Sequence, residues 1–128
     1  MFQSPAQDYV DKPLSIDDMC QLNKPYTYIL KSEISSWRAA IRKDALLILD
    51  CSATPYDGSI VMCHLGGQIA IRRLRLSPSP RLEDLDFPSQ FDHYDAEDDT
   101  SHAVVKGVIT HIINDARSGE FVDDCPVM

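Results

Sequence analysis

The chain lacks several features that would settle its class at once. It has no apolar run of the roughly 18 residues that a membrane helix requires, so no span is expected. Its opening, Met1-Phe2-Gln3-Ser4-Pro5-Ala6-Gln7-Asp8, has neither a basic start nor an apolar block, which excludes an ordinary secretion signal. The four cysteines, Cys20, Cys51, Cys63 and Cys125, form no CxxC pair and no close spacing. That removes the usual zinc and dithiol patterns and leaves reduced core or surface thiols, with the cytoplasm as the expected compartment. Cations are also scarce: 12 Lys and Arg stand against 20 Asp and Glu, a net charge of −8. A large nucleic-acid footprint needs clustered Lys and Arg, so direct nucleic-acid binding is not expected. No cofactor or metal is expected either.

What is present fits one domain. At 128 residues, 44% of them hydrophobic, the chain is long enough to bury a core. The most informative stretch is Asp57 to Leu76, DGSIVMCHLGGQIAIRRLRL. Two apolar runs, Ser59–His64 and Gln68–Leu76, flank Leu65-Gly66-Gly67. The two glycines can take the positive φ angles of a tight turn. Ile60, Val61, Ile69 and Ile71 are β-branched and suit extended backbone, so the stretch reads as a β-hairpin. In period-2 alternation Arg72 shares a face with Ala70, Leu74 and Leu76, while Arg73 and Arg75 share the other with Ile69 and Ile71. A cation on that first face is expected to snorkel to water or to pair with an acid.

The rest of the chain reads as short strands. Residues 1–14, with Pro5 and Pro13, read as an extended arm. Ser15-Ile16-Asp17-Asp18 opens like a helix cap, predicting a short helix over about 15–23 that ends before Pro25. Tyr26–Lys31 is a strand by composition, Ser32–Ala40 a turn or short helix, and Ala45–Asp50 a buried strand. Cys51–Gly58 is a loop, and Ser77-Pro78-Ser79-Pro80 ends the hairpin. Residues 83–99 hold eight acids and no Lys or Arg. They read as a solvated loop system with short strands, or as a docking face for a basic partner. Residues 103–113 form a further strand, with Gly107 at a bulge or close approach. Residues 114–128 read as a weakly ordered tail. The expected fold is therefore mainly β and compact, with one or two short helices. The domain is expected over 15–117, between the 1–14 arm and the 118–128 tail.

The hairpin resembles the catalytic-lysine hairpin of the LexA/UmuD superfamily of self-cleaving proteins, whose pattern is roughly D-G-D-I-V-(x)4-D-G-E-x-(x)2-K-(K/R)-L. The similarity extends along the chain. Ser4–Val10 resembles the S-P-A-x-D-Y-V opening of processed UmuD-type proteins. Thr27–Lys31 resembles the T-Y-F-V-K strand before the nucleophile motif G-D-S-M. Ile41–Asp50 resembles I-x-x-G-D-L-L-I-V-D, and Gly107–Ile113 resembles the closing G-V-V-x-H-V-V strand.

The resemblance implies a Ser–Lys dyad, in which a buried lysine of lowered pKa takes the serine proton. Here the nucleophile motif reads Ile34-Ser35-Ser36-Trp37. Counting forward from Lys31 assigns Ser36 to the nucleophile position. Counting back from Ile41 assigns Ser35. Ser36 is preferred because an apolar residue follows it, as in the family. The lysine of the pattern falls on Arg72, and a guanidinium does not give up its proton in a protein. Neither family cleavage dipeptide, Ala-Gly nor Cys-Gly, occurs, and the chain opens where a processed form would open. A protein born processed has no need of the peptidase. The resemblance thus implies a non-catalytic homodimer that serves as accessory subunit of a Y-family, UmuC-type translesion polymerase. It would act in the SOS response to DNA damage, with the RecA filament as a further partner. Two alternatives stand beside it: a serine peptidase using His64 or His111 as base, and a repressor-derived dimerisation module. For the dimer face the family suggests Ala103–Ile113 and the N-terminal arm.

Overall fold

The computed structural model describes residues 15–95 and 103–117. The expected arm over 1–14, the tail over 118–128 and the acids Glu97, Asp98 and Asp99 lie outside the described residues. What is described is mainly β: one short helix, α1 (Ile16–Cys20), and seven strands, β1 (Thr27–Lys31), β2 (Leu46–Asp50), β3 (Ile60–Leu65), β4 (Gln68–Arg75), β5 (Arg81–Glu83), β6 (Phe91–His93) and β7 (Ala103–Ile113). Every pairing is antiparallel, in the order β1-β2-β7-β3-β4-β5-β6.

Local sequence explains most of these elements. Ser15 caps α1, its hydroxyl accepting the Asp18 N–H at 3.4 Å. The helix is shorter than the 15–23 expected. Gln21 turns left-handed at φ 54° and its N–H closes on the Asp17 carbonyl, which stops the helix a turn early. The continuous apolar run LLILD becomes β2, with Leu47, Ile48 and Leu49 all 2% exposed or less. Such a run suits a strand covered on both faces, since successive side chains point to opposite sides.

The β3–β4 hairpin turns on Gly66 and Gly67 alone, at φ 57° and 86°, while Leu65 stays in the strand and pairs with Gln68. A two-residue turn with both φ positive matches the right-handed strand twist. Gly107 meets both expectations set for it. The pairing of β3 with β7 shifts register between Met62 and Cys63, which face Gly107 and Val105. A Cβ on Gly107 would stand 2.8 Å from Leu49 Cδ1 and 3.1 Å from the Asp50 carbonyl oxygen.

Two apolar clusters cover the two faces of the sheet. Ile41, Ala45, Leu47, Leu49, Leu85 and Ile109 form one, with Met62 and Ile71 packed against it. Val61, Cys63, Leu74, Leu82, Ala103 and Val108 form the other. β1 and β4 are separated by three strands, yet both line one groove. The sheet is therefore curled, with β2 and β3 contributing to its concave side.

One expectation is corrected, and the place of the long strand is set. β7 sits between β2 and β3, pairing with β2 along Val108–Ile113 and with β3 along Ala103–Val108. The acidic stretch is not uniformly solvated. Glu83 is buried, its carboxylate held by Arg81 Nε at 2.9 Å and Arg75 Nε at 3.4 Å. β4–β5 pairing in register places those arginines beside it. Ser32–Ala40, in turn, contains no helix.

Candidate functional site

The segment after β1 folds back under close backbone control. The Ser32 N–H donates to the Ala45 carbonyl and the Asp44 N–H to the Ser32 carbonyl. Ser36 and Ile41 then exchange both backbone hydrogen bonds, at 2.8 and 2.9 Å, as an isolated bridge. This closes Trp37–Ala40 into a tight loop, with Ala40 in the left-handed region at φ 58°. Ile41 is fully buried and anchors the far side. Asn114, just past β7, braces the same loop. Its side chain accepts the Arg42 N–H at 2.9 Å and donates to the Ala40 carbonyl at 2.8 Å. Asn114, the first residue of the expected weakly ordered tail, is thus tied down.

This geometry separates the two candidate serines. Ser36 is 1% exposed and Ser35 is half-buried. The Ser36 hydroxyl donates to Asp86 Oδ1 at 2.6 Å and accepts the Ala39 N–H at 3.1 Å. Asp86 Oδ1 also accepts the Arg38 N–H at 3.3 Å. A short hydrogen bond to a carboxylate is among the stronger neutral-to-charged contacts. Asp86 lies 50 residues away in sequence, and no spacing rule pointed to it.

Arg72 lies on the rim of the same small cavity, about 180 Å³, that Ser35, Ser36, Asp84 and Asp86 line. The structure thus brings together Ser35, Ser36 and Arg72. It does not join them by hydrogen bonds. Arg72 is half-buried and its Nη1 donates to the Ile71 carbonyl at 3.1 Å. Among the described residues it pairs with no carboxylate, so of the two expected fates, water or an acidic partner, the second does not occur. Its neighbour Arg73 donates to the Gly58 carbonyl at 2.9 Å. Burial, then the charges of Arg75 and Arg38, hold the Arg73 pKa below its ordinary value.

A larger groove of about 560 Å³ adjoins the cavity through Ile34, Ile71 and Arg72. Leu30 and Ile34 line it on the β1 side, Ile69 and Ile71 on the hairpin side, and Leu47 and Met62 between. Lys31 is the described lysine that lines this groove, but it does not line the cavity of Ser36. The alternative bases are elsewhere. His64 pairs with Ile69 and Val104 within the sheet, and His111 Nδ1 sits 2.9 Å from Thr110 Oγ1. Neither lines the cavity. Cys63 is no nucleophile in reserve. Burial pushes its thiol up to about 11, with the Arg72 charge opposing and the Asp92 charge adding, so the thiolate is scarce at neutral pH. Among the described residues no group of His, Cys, Asp and Glu is arranged to hold a metal, and no helix is long and apolar enough to cross a membrane.

Comparison with known proteins finds relatives along most of the chain, among them the following. Protein ImpA of Escherichia coli is 30% identical over 117 residues, covering 91% of this chain and 78% of that protein. Protein MucA of Escherichia coli is 33% identical over 113 residues, covering 86% and 75%. Protein SamA of Salmonella typhimurium is 26% identical over 118 residues, covering 91% and 80%. No family model matches the chain.

Proposed function

The chain belongs to the UmuD family, and on that premise we propose that it is a non-catalytic, processed-UmuD-like accessory subunit of an error-prone translesion polymerase. It acts in the SOS response to DNA damage by protein–protein binding. Its partners are a second copy of itself, a UmuC-type Y-family polymerase and the RecA filament. It works in the cytoplasm and leaves DNA contact to the polymerase, in keeping with its net charge of −8.

The observation that carries the non-catalytic part is the polar cavity. The serine at the family's nucleophile position, Ser36, and the residue at the lysine position, Arg72, meet on one cavity. A Ser–Lys mechanism needs an amine that can lose its proton, and a guanidinium cannot serve. The hydroxyl of Ser36 donates to Asp86. Losing one member of such a unit removes nearly all its rate.

The test is co-purification of the untagged chain with a tagged UmuC-type polymerase from the same source, with mass read by light scattering after size exclusion. The expected result is a stable complex holding two copies of this chain. A homodimer that ignores the polymerase would overturn the accessory-subunit assignment.

A further inference from the structure

Two carboxylates, Asp84 and Asp86, line the same small cavity as Ser36 and residue 72. A neutral lysine is what the family's chemistry requires, and it depends on desolvation with no nearby anion. A carboxylate close by favours the charged ammonium and raises the lysine pKa. Asp86 acts on the nucleophile as well. It holds the Ser36 proton at 2.6 Å and clamps the loop through the Arg38 N–H. One lone pair of the serine oxygen is already committed to the Ala39 N–H.

We propose that Asp84 and Asp86 are a second, independent block on this site. They are positioning residues on the same cavity as position 72, and they keep any amine placed there protonated. Restoring lysine alone therefore does not restore a nucleophilic serine. The inference deepens the non-catalytic reading and rests on it. Arg38, a cation near the cavity whose charge is felt at Arg73, is exposed and screened by solvent. Lys31 and Glu33 line the adjoining groove, are exposed, and oppose each other under solvent screening. Arg73, beside it on β4, is committed to the Gly58 carbonyl. Cys63, across the hairpin, stays a neutral thiol below its raised pKa.

The experiment uses the full chain and a small alkyl fluorophosphonate, with intact-mass detection. In labelling, Ser36 Oγ forms a bond to phosphorus, the P–F bond breaks, fluoride leaves, and the hydroxyl proton passes to the introduced amine. Four proteins are compared across pH: wild type, R72K, R72K/D86N and R72K/D84N/D86N. Wild type and R72K are expected to stay unlabelled at Ser36. The triple variant is expected to label at least about ten-fold faster than R72K at neutral pH, with R72K/D86N between them. Its labelling is also expected to rise with pH at a lower midpoint.

Labelling of R72K as fast as the triple variant would overturn the inference and leave the non-catalytic reading intact. So would a triple variant that folds by circular dichroism yet does not label. Labelling of wild type at Ser36 would instead overturn the non-catalytic reading. A second measurement needs only R72K: titration of the introduced amine by 13Cε NMR. A pKa at or above that of an ordinary lysine is expected, and a clearly depressed one would overturn the proposal even if the triple variant did not fold.

Discussion

Two regions of this molecule hold arginine and carboxylate close together, and they are built on opposite plans. Around β4 and β5, the buried Glu83 takes one guanidinium on each oxygen, Arg75 and Arg81, and Arg81 lies over the Phe91 ring at 5.8 Å. Every charge there is answered by an opposite charge. At the Ser36 cavity, Asp86 binds a serine hydroxyl and a backbone N–H, while Arg72 turns to its own neighbour's carbonyl. The first arrangement holds strands together. The second sets a serine clamped by a carboxylate and an arginine on one cavity with no hydrogen bond between them. The presence of charged residues near a strand therefore says little. What distinguishes the two regions is which group each charge is paired with.

The comparison can be broken by substitution, and the largest effect should come from the ion cluster. Glu83→Gln leaves Arg75 and Arg81 without their shared counter-charge. Removing one partner of a buried pair is strongly destabilising, and the partial exposure of Arg75 moderates it, so a loss of about 2–3 kcal/mol is expected. Urea unfolding measures it, and an unchanged midpoint would show that the cluster is ornamental. Ser36→Ala should cost less, about 1–2 kcal/mol, because it strips Asp86 and the Ala39 N–H of one hydrogen bond each. The same unfolding curve reports it, and a neutral result would mean that water replaces the hydroxyl. Arg72→Met should cost least, within about 0.5 kcal/mol. Methionine keeps the unbranched stem, and no ion pair among the described residues is lost. If that variant instead fell by as much as Glu83→Gln, Arg72 would be a structural cation and the contrast between the regions would fail.

The Arg72 expectation also shows where pattern reading stops. Period-2 alternation put this residue on the face of Ala70 and Leu74, and the observed register agrees, with Val61 opposite Arg72 and Cys63 opposite Ala70. That reading left two fates for the guanidinium, water or a carboxylate, and among the described residues no carboxylate pairs with it. Alternation describes only the strand, and a partner depends on which distant loop arrives. Asp86 failed to stand out for the same reason. In sequence it is one acid among eight in a stretch read as solvated. In the fold it is the residue that holds Ser36. Glu83, three positions earlier, has a third fate again. Three acids within four residues serve as ion-pair core (Glu83), cavity lining (Asp84) and serine clamp (Asp86).

The sequence by itself determined the parts whose physics is local. The Gly66-Gly67 turn, the apolar run of β2, the Ser15 cap and the eleven residues of β7 follow from backbone freedom, side-chain branching and hydrogen bonding within a few positions. It also determined that position 72 holds a group that cannot act as a base. Only the tertiary structure decided that β7 lies between β2 and β3, that the sheet curls to leave a groove, and that Ser36 rather than Ser35 is buried against Asp86. Those outcomes depend on contacts between residues tens of positions apart. Such contacts are chosen by how an apolar cluster assembles on each face of the sheet, and no short stretch of sequence carries that choice.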